Sequence, residues 1–121
     1  MPKSTNTCNS ILALIFNATA WADIAENDTS APAANLYVSL HTADPGVGGA
    51  QTTNETAYTN YARVAVARTN VGWSVPASGA TANAALVQFP QCGASGATIT
   101  HVAIGTASGG AGTVLYAGAL N

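Results

Sequence analysis

From Asn35 onward, apolar residues recur at every second position of this chain, in short runs separated by turns rich in glycine. In the stretch "NLYVSLH", Leu36, Val38 and Leu40 point one way and the residues between them point the other. Alternation with a period of two is typical of a half-buried β-strand. Most of the chain is therefore expected to form β-sheet.

Six such runs predict six strands. They cover residues 35–41, 61–69, 71–75, 83–90, 98–106 and 113–120. The segments "ADPG", "PASGA", "QCGASGA" and "ASGGAG" supply turns, and the polar stretch 47–60 indicates a long loop. Close spacing with glycine-rich turns favours an antiparallel β-sandwich or barrel, and we expect a jelly-roll-like sandwich over residues 35–120.

The N-terminal part has a different period, which predicts one amphipathic helix. Small and apolar residues fall on one stripe at i, i+3, i+4 spacing: Ile11, Leu14, Ile15, Ala18, Trp21, Ala22 and Ala25. Asn9 or Ser10 could cap this helix, and the segment 26–32 would end it. The expected organisation is a single domain, 1–121, with an arm over 1–9, a helix over 10–26 and a sandwich over 35–120.

A signal peptide is the alternative interpretation of this segment, because an Ala-x-Ala triplet, 18–20, follows the apolar run. The uninterrupted apolar core, 11–16, is shorter than the usual roughly 7–15 residues, so the helix is favoured. No run approaches the roughly 20 apolar residues that a membrane span needs.

Charged residues are scarce, which excludes several classes of partner. They make up 7% of the chain, against roughly 25% in ordinary domains. Three Lys and Arg side chains cannot neutralise a run of phosphates, so neither nucleic acid nor an anionic membrane surface is an expected partner. Leu, Ile, Val and Phe total only 23 of 121 residues. A core this thin suggests a protein that is stabilised by its neighbours.

The end of the first strand carries the residues that most resemble a catalytic or metal site. A Ser39/His41/Asp44 triad is disfavoured, because triad members usually converge from separate elements. His41, Asp44 and His101 could bind a metal, but their spacing does not require it. We expect Asp44 to bond backbone amides in its turn and His41 to pack at the strand end. No catalytic, metal-binding or cofactor-binding residue is predicted.

Three further patterns could indicate a reactive or ligand-binding site. The segment 105–112, "GTASGGAG", lacks the Lys-Ser/Thr of a phosphate loop and precedes a strand, so it predicts a hairpin turn. No pair of carboxylates is placed for acid–base catalysis, and we expect no enzyme. Cys8 and Cys92 lie far apart without metal-type spacing, and both are expected to be free thiols.

Aromatic and arginine residues are the candidates for an interface. The stretch "YARVAVART", 61–69, holds both arginines of the chain. It begins with Tyr61 and follows Tyr58 closely. Arginine beside tyrosine is typical of interfaces. The predicted contact residues are Tyr58, Tyr61, Arg63, Arg68 and Trp21.

The alternative is that these side chains have partners within the chain. Arg63 and Arg68 would then pair with Glu55 and Asp44 on the surface, which is worth about 0–1 kcal/mol per pair. For Trp73, a role as a large plug in a core of small residues is favoured over an interface role.

Several blocks of the sequence resemble a known family. They are "IFNATAWADIAEN", "LYVSLHTADPG", "QTTNETAYTNYARVAVART", "GW" and "ITHVAIGTASGGAGTVLYAGAL". In this order they are similar to small virion proteins of tailed phages that are usually labelled "phage tail fiber protein". The resemblance covers about residues 9–120. Members usually continue beyond the last strand, where this chain stops at Asn121.

The resemblance implies a structural virion protein, and two locations follow from it. The favoured one is a capsid cement, or decoration, protein on the capsid exterior, bound to the major capsid protein and forming a homo-oligomer, most simply a dimer. The alternative is a tail-fibre or tail-tip component that contacts the host surface. Fibres often carry repeats or coiled coils, and this chain has neither. A compact domain with few charges suits a lattice contact better.

Overall fold

The computed structural model describes residues 2–21, 24–25 and 32–121. They form a mainly β structure with one short helix, so the predicted fold class is confirmed. The elements are α1 (Thr5–Phe16), β1 (Asn35–His41), β2 (Val64–Ala67), β3 (His101–Gly105) and β4 (Val114–Ala119).

The four strands make a single sheet in the order β2-β1-β3-β4. The β1–β3 and β3–β4 pairs are antiparallel, and the register shifts between Ile104 and Gly105. The segment between β3 and β4 is the predicted hairpin turn. A second sheet, which a jelly roll requires, is not present among the described strands, so the jelly-roll detail is not confirmed.

The contacts divide the chain into two compact units, each built from two segments. We call residues 1–35 and 67–86 the helical unit, and residues 36–66 and 87–121 the sheet unit. The expectation of a single domain stays a prediction. In the described part of the chain, no helix is long and apolar enough to cross a membrane.

Two predicted strands do not form. Of the runs 71–75 and 83–90, only an isolated bridge between Trp73 and Asn83 remains. A tight turn lies between them, where Ser78 and Gly79 both have positive φ and Ala77 bridges Ala80. This geometry is that of a hairpin turn. Pro76 donates no backbone hydrogen bond, and the small side chains here offer little cross-strand packing, so the arms do not become strands.

The helix begins five residues earlier than predicted, because Ser4 rather than Asn9 or Ser10 caps its N-terminus. The Ser4 side chain accepts a hydrogen bond from the Thr7 backbone N–H at 3.1 Å, so α1 starts at Thr5 rather than Ser10. The apolar stripe that suggested Ser10 begins at Ile11, nearly two turns inside the helix.

The helix also ends ten residues earlier than predicted. Ala18 adopts a left-handed φ of 51°, and the Thr19 N–H returns to the Ala13 carbonyl. Trp21 and Ala25 then exchange backbone hydrogen bonds across a turn. The prediction of a helix through residue 26 is therefore wrong at residues 17–21 and 24–25, and its remaining positions, with most of the segment 26–32, lie outside the described residues.

The core of the helical unit is aromatic. Phe16 and Trp73 are both nearly fully buried, with ring centroids 4.7 Å apart in an edge-to-face arrangement. Asn17 donates a hydrogen bond to the Trp73 carbonyl at 3.3 Å. The prediction that Trp73 is a core plug is confirmed.

The sheet unit buries polar side chains as well as apolar ones. In β1, Leu36 and Val38 are buried as expected, but Ser39 and His41 on the opposite face are fully buried too. Gln51, from the predicted long loop, lies over this second face, where it donates to the Tyr37 carbonyl and accepts from the Ala107 N–H. The strand is therefore covered on both faces.

Gly105 makes room for this cover. A Cβ at that position would collide with the side chain of Gln51. Only glycine lets the loop approach β3 so closely.

Candidate functional site

The strand end that resembles a catalytic cluster does contain a serine–histidine pair. Ser39 Oγ lies 2.9 Å from His41 Nε2, and His41 Nδ1 lies 2.9 Å from the Thr53 carbonyl oxygen. A carbonyl can only accept, so Nδ1 carries a proton that it donates to Thr53, while Nε2 is hydrogen-bonded to Ser39 Oγ. The triad was disfavoured from the sequence because its members lie at one strand end. Ser39 and His41 nevertheless meet, because side chains two residues apart on a strand share a face.

Burial prevents this pair from acting on a substrate. Ser39 and His41 are both 0% exposed. Asp44 does not join them: its Oδ1 accepts from the Gly46 N–H at 2.8 Å, as predicted for a turn residue. The pair fixes the segment around Thr53 against β1, so its role is structural.

The metal prediction was negative, and the histidines have other partners. His41 and His101 are directly opposite each other in the β1–β3 register, but His101 Nδ1 lies 2.8 Å from Thr100 Oγ1. Among the described residues, no group of three His, Cys, Asp or Glu could hold a metal ion. Cys8 and Cys92 are free thiols, as expected.

A polar cluster of the sheet unit joins Glu55, Tyr61 and Arg63, and we call it the Glu55–Arg63 cluster. Arg63 binds the Glu55 carboxylate with two nitrogens, at 2.6 and 2.7 Å. It also donates to the carbonyls of Ala107 and Gly110 at 2.9 and 2.8 Å. One guanidinium thus ties the loop after β1 to the turn between β3 and β4.

Tyr61 completes the cluster on the side of β1. Its hydroxyl donates to Glu55 Oε1 at 2.8 Å and accepts from the Leu40 N–H at 3.1 Å. Strand β2 is only four residues long and does not extend to this amide of β1. The phenol therefore supplies the acceptor for it. Stacking on Phe89 and an edge contact with Tyr58 hold the ring in place.

The cluster is mostly enclosed, and this perturbs its acid–base properties. The side chains of Arg63 and Glu55 are 3% and 15% exposed. Burial alone raises the pKa of Glu55, but the hydrogen bonds from Arg63 and Tyr61 and the Arg63 charge outweigh it, so the pKa is lower than usual. Burial, with the hydrogen bond to Glu55, raises the pKa of Tyr61 well above its ordinary range. The phenol stays a hydrogen-bond donor and the carboxylate stays charged.

Arg68 has a different role, because it belongs to the helical unit. It donates to the carbonyls of Leu14 and Ile15 at 2.8 and 2.7 Å, and to the Ala33 carbonyl at 2.7 Å. The last carbonyls of a helix lack partners within it, and a cation there is favoured by the helix dipole. Arg68 therefore caps α1, whereas a pair with Asp44 had been the alternative.

The structure thus gives an internal partner to each predicted interface residue. Tyr58 donates to the Pro90 carbonyl at 2.8 Å, and Trp21 is half-buried and bonded to Ala25. Arg63 does pair with Glu55, but in an enclosed cluster rather than on the surface. Whether Tyr58, Tyr61 and the other three residues also contact a partner stays a prediction.

An open groove lies at the far edge of the sheet unit, where no site was predicted. It encloses about 320 Å³ between the turn residues Asp44, Gly46 and Val47 and the strand segment Val114–Ala117. Polar and apolar atoms contribute equally to its lining, and Asp44 is the charged residue there. Sequence patterns give no signal for it, because the two sides are some 70 residues apart and meet only through the β1–β3–β4 pairing.

Comparison with known proteins identifies the family. The family model described as "Podophage GP4 fiber I protein gp80" matches residues 2–121. No curated protein matches the chain. Since the match covers nearly every residue, the chain belongs to the podophage GP4 fiber I protein gp80 family, a family of phage fiber proteins.

Proposed function

We propose that this protein is a structural component of the tail fibres of a tailed bacteriophage. The observation that carries the proposal is the family match over residues 2–121, since the family is named for a fibre protein of a podophage. A structural role in the virion follows from the family itself. The location on the tail is the more specific part of the proposal. It makes the tail the first candidate and the capsid the second, whereas the sequence favoured the capsid.

The structure is consistent with a passive role in an assembly. The serine–histidine pair is sealed, and the enclosed Glu55–Arg63 cluster clamps loops rather than presenting reactive groups. Large apolar side chains remain exposed in both units: Ile24, Val47, Val71, Val75, Leu86, Tyr116 and Leu120. Contiguous apolar patches are typical of surfaces that are covered in a complex, whereas single exposed apolar side chains are common on any protein surface.

Capsid cement, bound to the major capsid protein on the capsid exterior, is the second candidate. Two sequence observations favour it: the scarcity of charge, and the lack of the repeats or heptads of many fibres. A homo-oligomer, with a dimer as the simplest case, is proposed for either location.

The test is the position of the protein in purified virions. Particles would be separated into heads and tails, and both fractions would be probed with an antibody raised against the recombinant chain. We expect the protein in the tail fraction at low copy number, with immunogold label on the tail. Label spread over the capsid shell, with hundreds of copies per particle, would overturn the tail proposal in favour of cement.

A further inference from the structure

The strand β4 forms an open edge of the sheet. It is the last strand in the order β2-β1-β3-β4, and in the described part of the chain no named strand pairs with its outer side. The Leu120 N–H bonds the Thr100 carbonyl of the β3 side, so the even-numbered residues of this part of β4 point their backbone groups inward. Ala117 and Ala119 therefore direct their N–H and C=O groups outward.

This edge lacks the features that usually prevent strand pairing. The strand VLYAGA contains no charge and no proline, and its last four residues are exposed. Natural edges are commonly protected by lysine, proline, a bulge or a covering loop. Here the register shift and the bridge between Ala50 and Thr113 affect only the start of the strand, so its second half is open.

The two halves of this edge differ in a complementary way. Beside the first half lies the groove formed with Asp44, Gly46 and Val47. At the second half, Leu120 is 47% exposed, on the same sheet face as the 43% exposed Tyr116. One half thus offers a recess that includes apolar side chains such as Val47, and the other half offers an exposed apolar side chain.

We infer that β4 pairs with β4 of a second copy of this chain, antiparallel, about a two-fold axis at Gly118. In this register the outward groups of Ala117 meet those of the partner's Ala119, and the reverse pair does the same. Leu120 of the partner subunit comes opposite Tyr116 and enters the groove beside Val47. The edges are self-complementary, as an isologous contact requires.

Charge and sterics allow the same arrangement. Gly118 lies on the axis as a non-hydrogen-bonded pair, and a Cβ there would meet no atom within 4 Å. The Asp44 carboxylates of the two copies flank opposite ends of the paired strands. At the strand rise they are on the order of 15 Å apart, farther than the Debye length in physiological salt.

A second copy is favoured over a foreign peptide because it brings a matching side chain to each groove at once. Standard interfaces bury roughly 800 Å² on each partner. A pair of six-residue strands buries less area than this, so we expect the contact to be weak at low concentration. It is strengthened when many copies are held together. The inference does not depend on whether the protein lies on the tail or on the capsid.

Disulfide trapping tests this register. In a background with Cys8→Ser and Cys92→Ser, the variant Gly118→Cys places two thiols across the axis, at a separation that suits a disulfide. We expect a covalent dimer as the main product of mild oxidation at high protein concentration. The control is Val71→Cys in the same background, at an exposed position of the helical unit.

A second variant tests the edge without a crosslink. Ala117→Pro removes an outward N–H while leaving the ladder with β3 unchanged, so the protein stays folded by circular dichroism. By sedimentation velocity we expect the unmodified chain to form a concentration-dependent dimer and the Ala117→Pro variant to remain a monomer. The inference is overturned if Gly118→Cys crosslinks no better than Val71→Cys, or if a folded Ala117→Pro variant dimerises like the unmodified chain.

Discussion

Replacement of Arg63 by alanine is the perturbation that best tests the Glu55–Arg63 cluster. The change removes two charge-assisted hydrogen bonds to Glu55 and leaves the carbonyls of Ala107 and Gly110 without this donor. Breaking one side of a buried ion pair costs about 3–5 kcal/mol. Glu55 is 15% exposed and keeps its bond from Tyr61, so we expect the lower end, about 3 kcal/mol.

In a chain of this size such a loss lowers the melting temperature by about 10–15 °C. The free energy of unfolding would be measured by urea denaturation, followed by circular dichroism, for the unmodified chain and Arg63→Ala. Glu55→Gln and the double variant complete a mutant cycle. The Arg63→Ala variant leaves the Glu55 carboxylate without its cation. Because Glu55→Gln removes that negative charge, the double variant should be more stable than Arg63→Ala alone.

The pH dependence gives a second readout with a definite sign. In the unmodified chain the pKa of Glu55 is lower than the ordinary pKa of a glutamate. This group therefore stabilises the fold at pH values above that ordinary pKa, and the contribution is lost as the pH falls through the folded-state pKa. Without Arg63, burial of Glu55 is opposed by fewer favourable contacts, so we expect the pKa of Glu55 to rise. The carboxylate is charged and short of a partner at pH 7 but increasingly protonated near pH 4, so the cost of Arg63→Ala should be smaller near pH 4 than at pH 7.

A cost below about 1 kcal/mol that is the same at both pH values would refute this reasoning. The pair would then behave as an exposed surface ion pair. The same experiment bears on the interface prediction. Arg63 is already hydrogen-bonded within the chain. If the Arg63→Ala variant failed to bind to phage particles, that result alone would therefore not show that Arg63 contacts a partner.

Two further outcomes follow from the structure. Arg68→Ala should leave the carbonyls of Leu14 and Ile15 without this donor and cost about 1–2 kcal/mol, seen as faster amide hydrogen exchange in α1 than in the unmodified chain; unchanged exchange would contradict the capping role. Thiol titration of the unreduced, denatured chain should find both Cys8 and Cys92, and a titre that appears only after reduction would contradict the free thiols.

Much of the candidate site lay beyond what the sequence could predict. The alternating pattern identified which residues of β1 share a face, but not that a loop would cover the polar face. Gln51 belongs to a stretch without periodicity, and its burial depends on the space left by Gly105, more than 50 residues away. The groove beside β4 likewise depends on a turn and a strand that only the sheet order brings together.

What the sequence by itself determined are properties of local origin. Period two predicted β1, β3 and β4 and the core of β2, and the turn chemistry of Asp44 and the glycine-rich hairpin was visible in short segments. Such features depend on neighbours along the chain, so composition and spacing suffice to predict them.

Only the tertiary structure decided the rest, because it depends on partners that are distant in the sequence. The helix ends where Ala18 reverses the chain and Arg68 meets the carbonyls of Leu14 and Ile15, although the apolar stripe continues. Arg63 binds Glu55 in an enclosed cluster rather than on the surface, because two loops close around it. A buried charge is stable only where a specific partner is in place, and no local pattern specifies that partner.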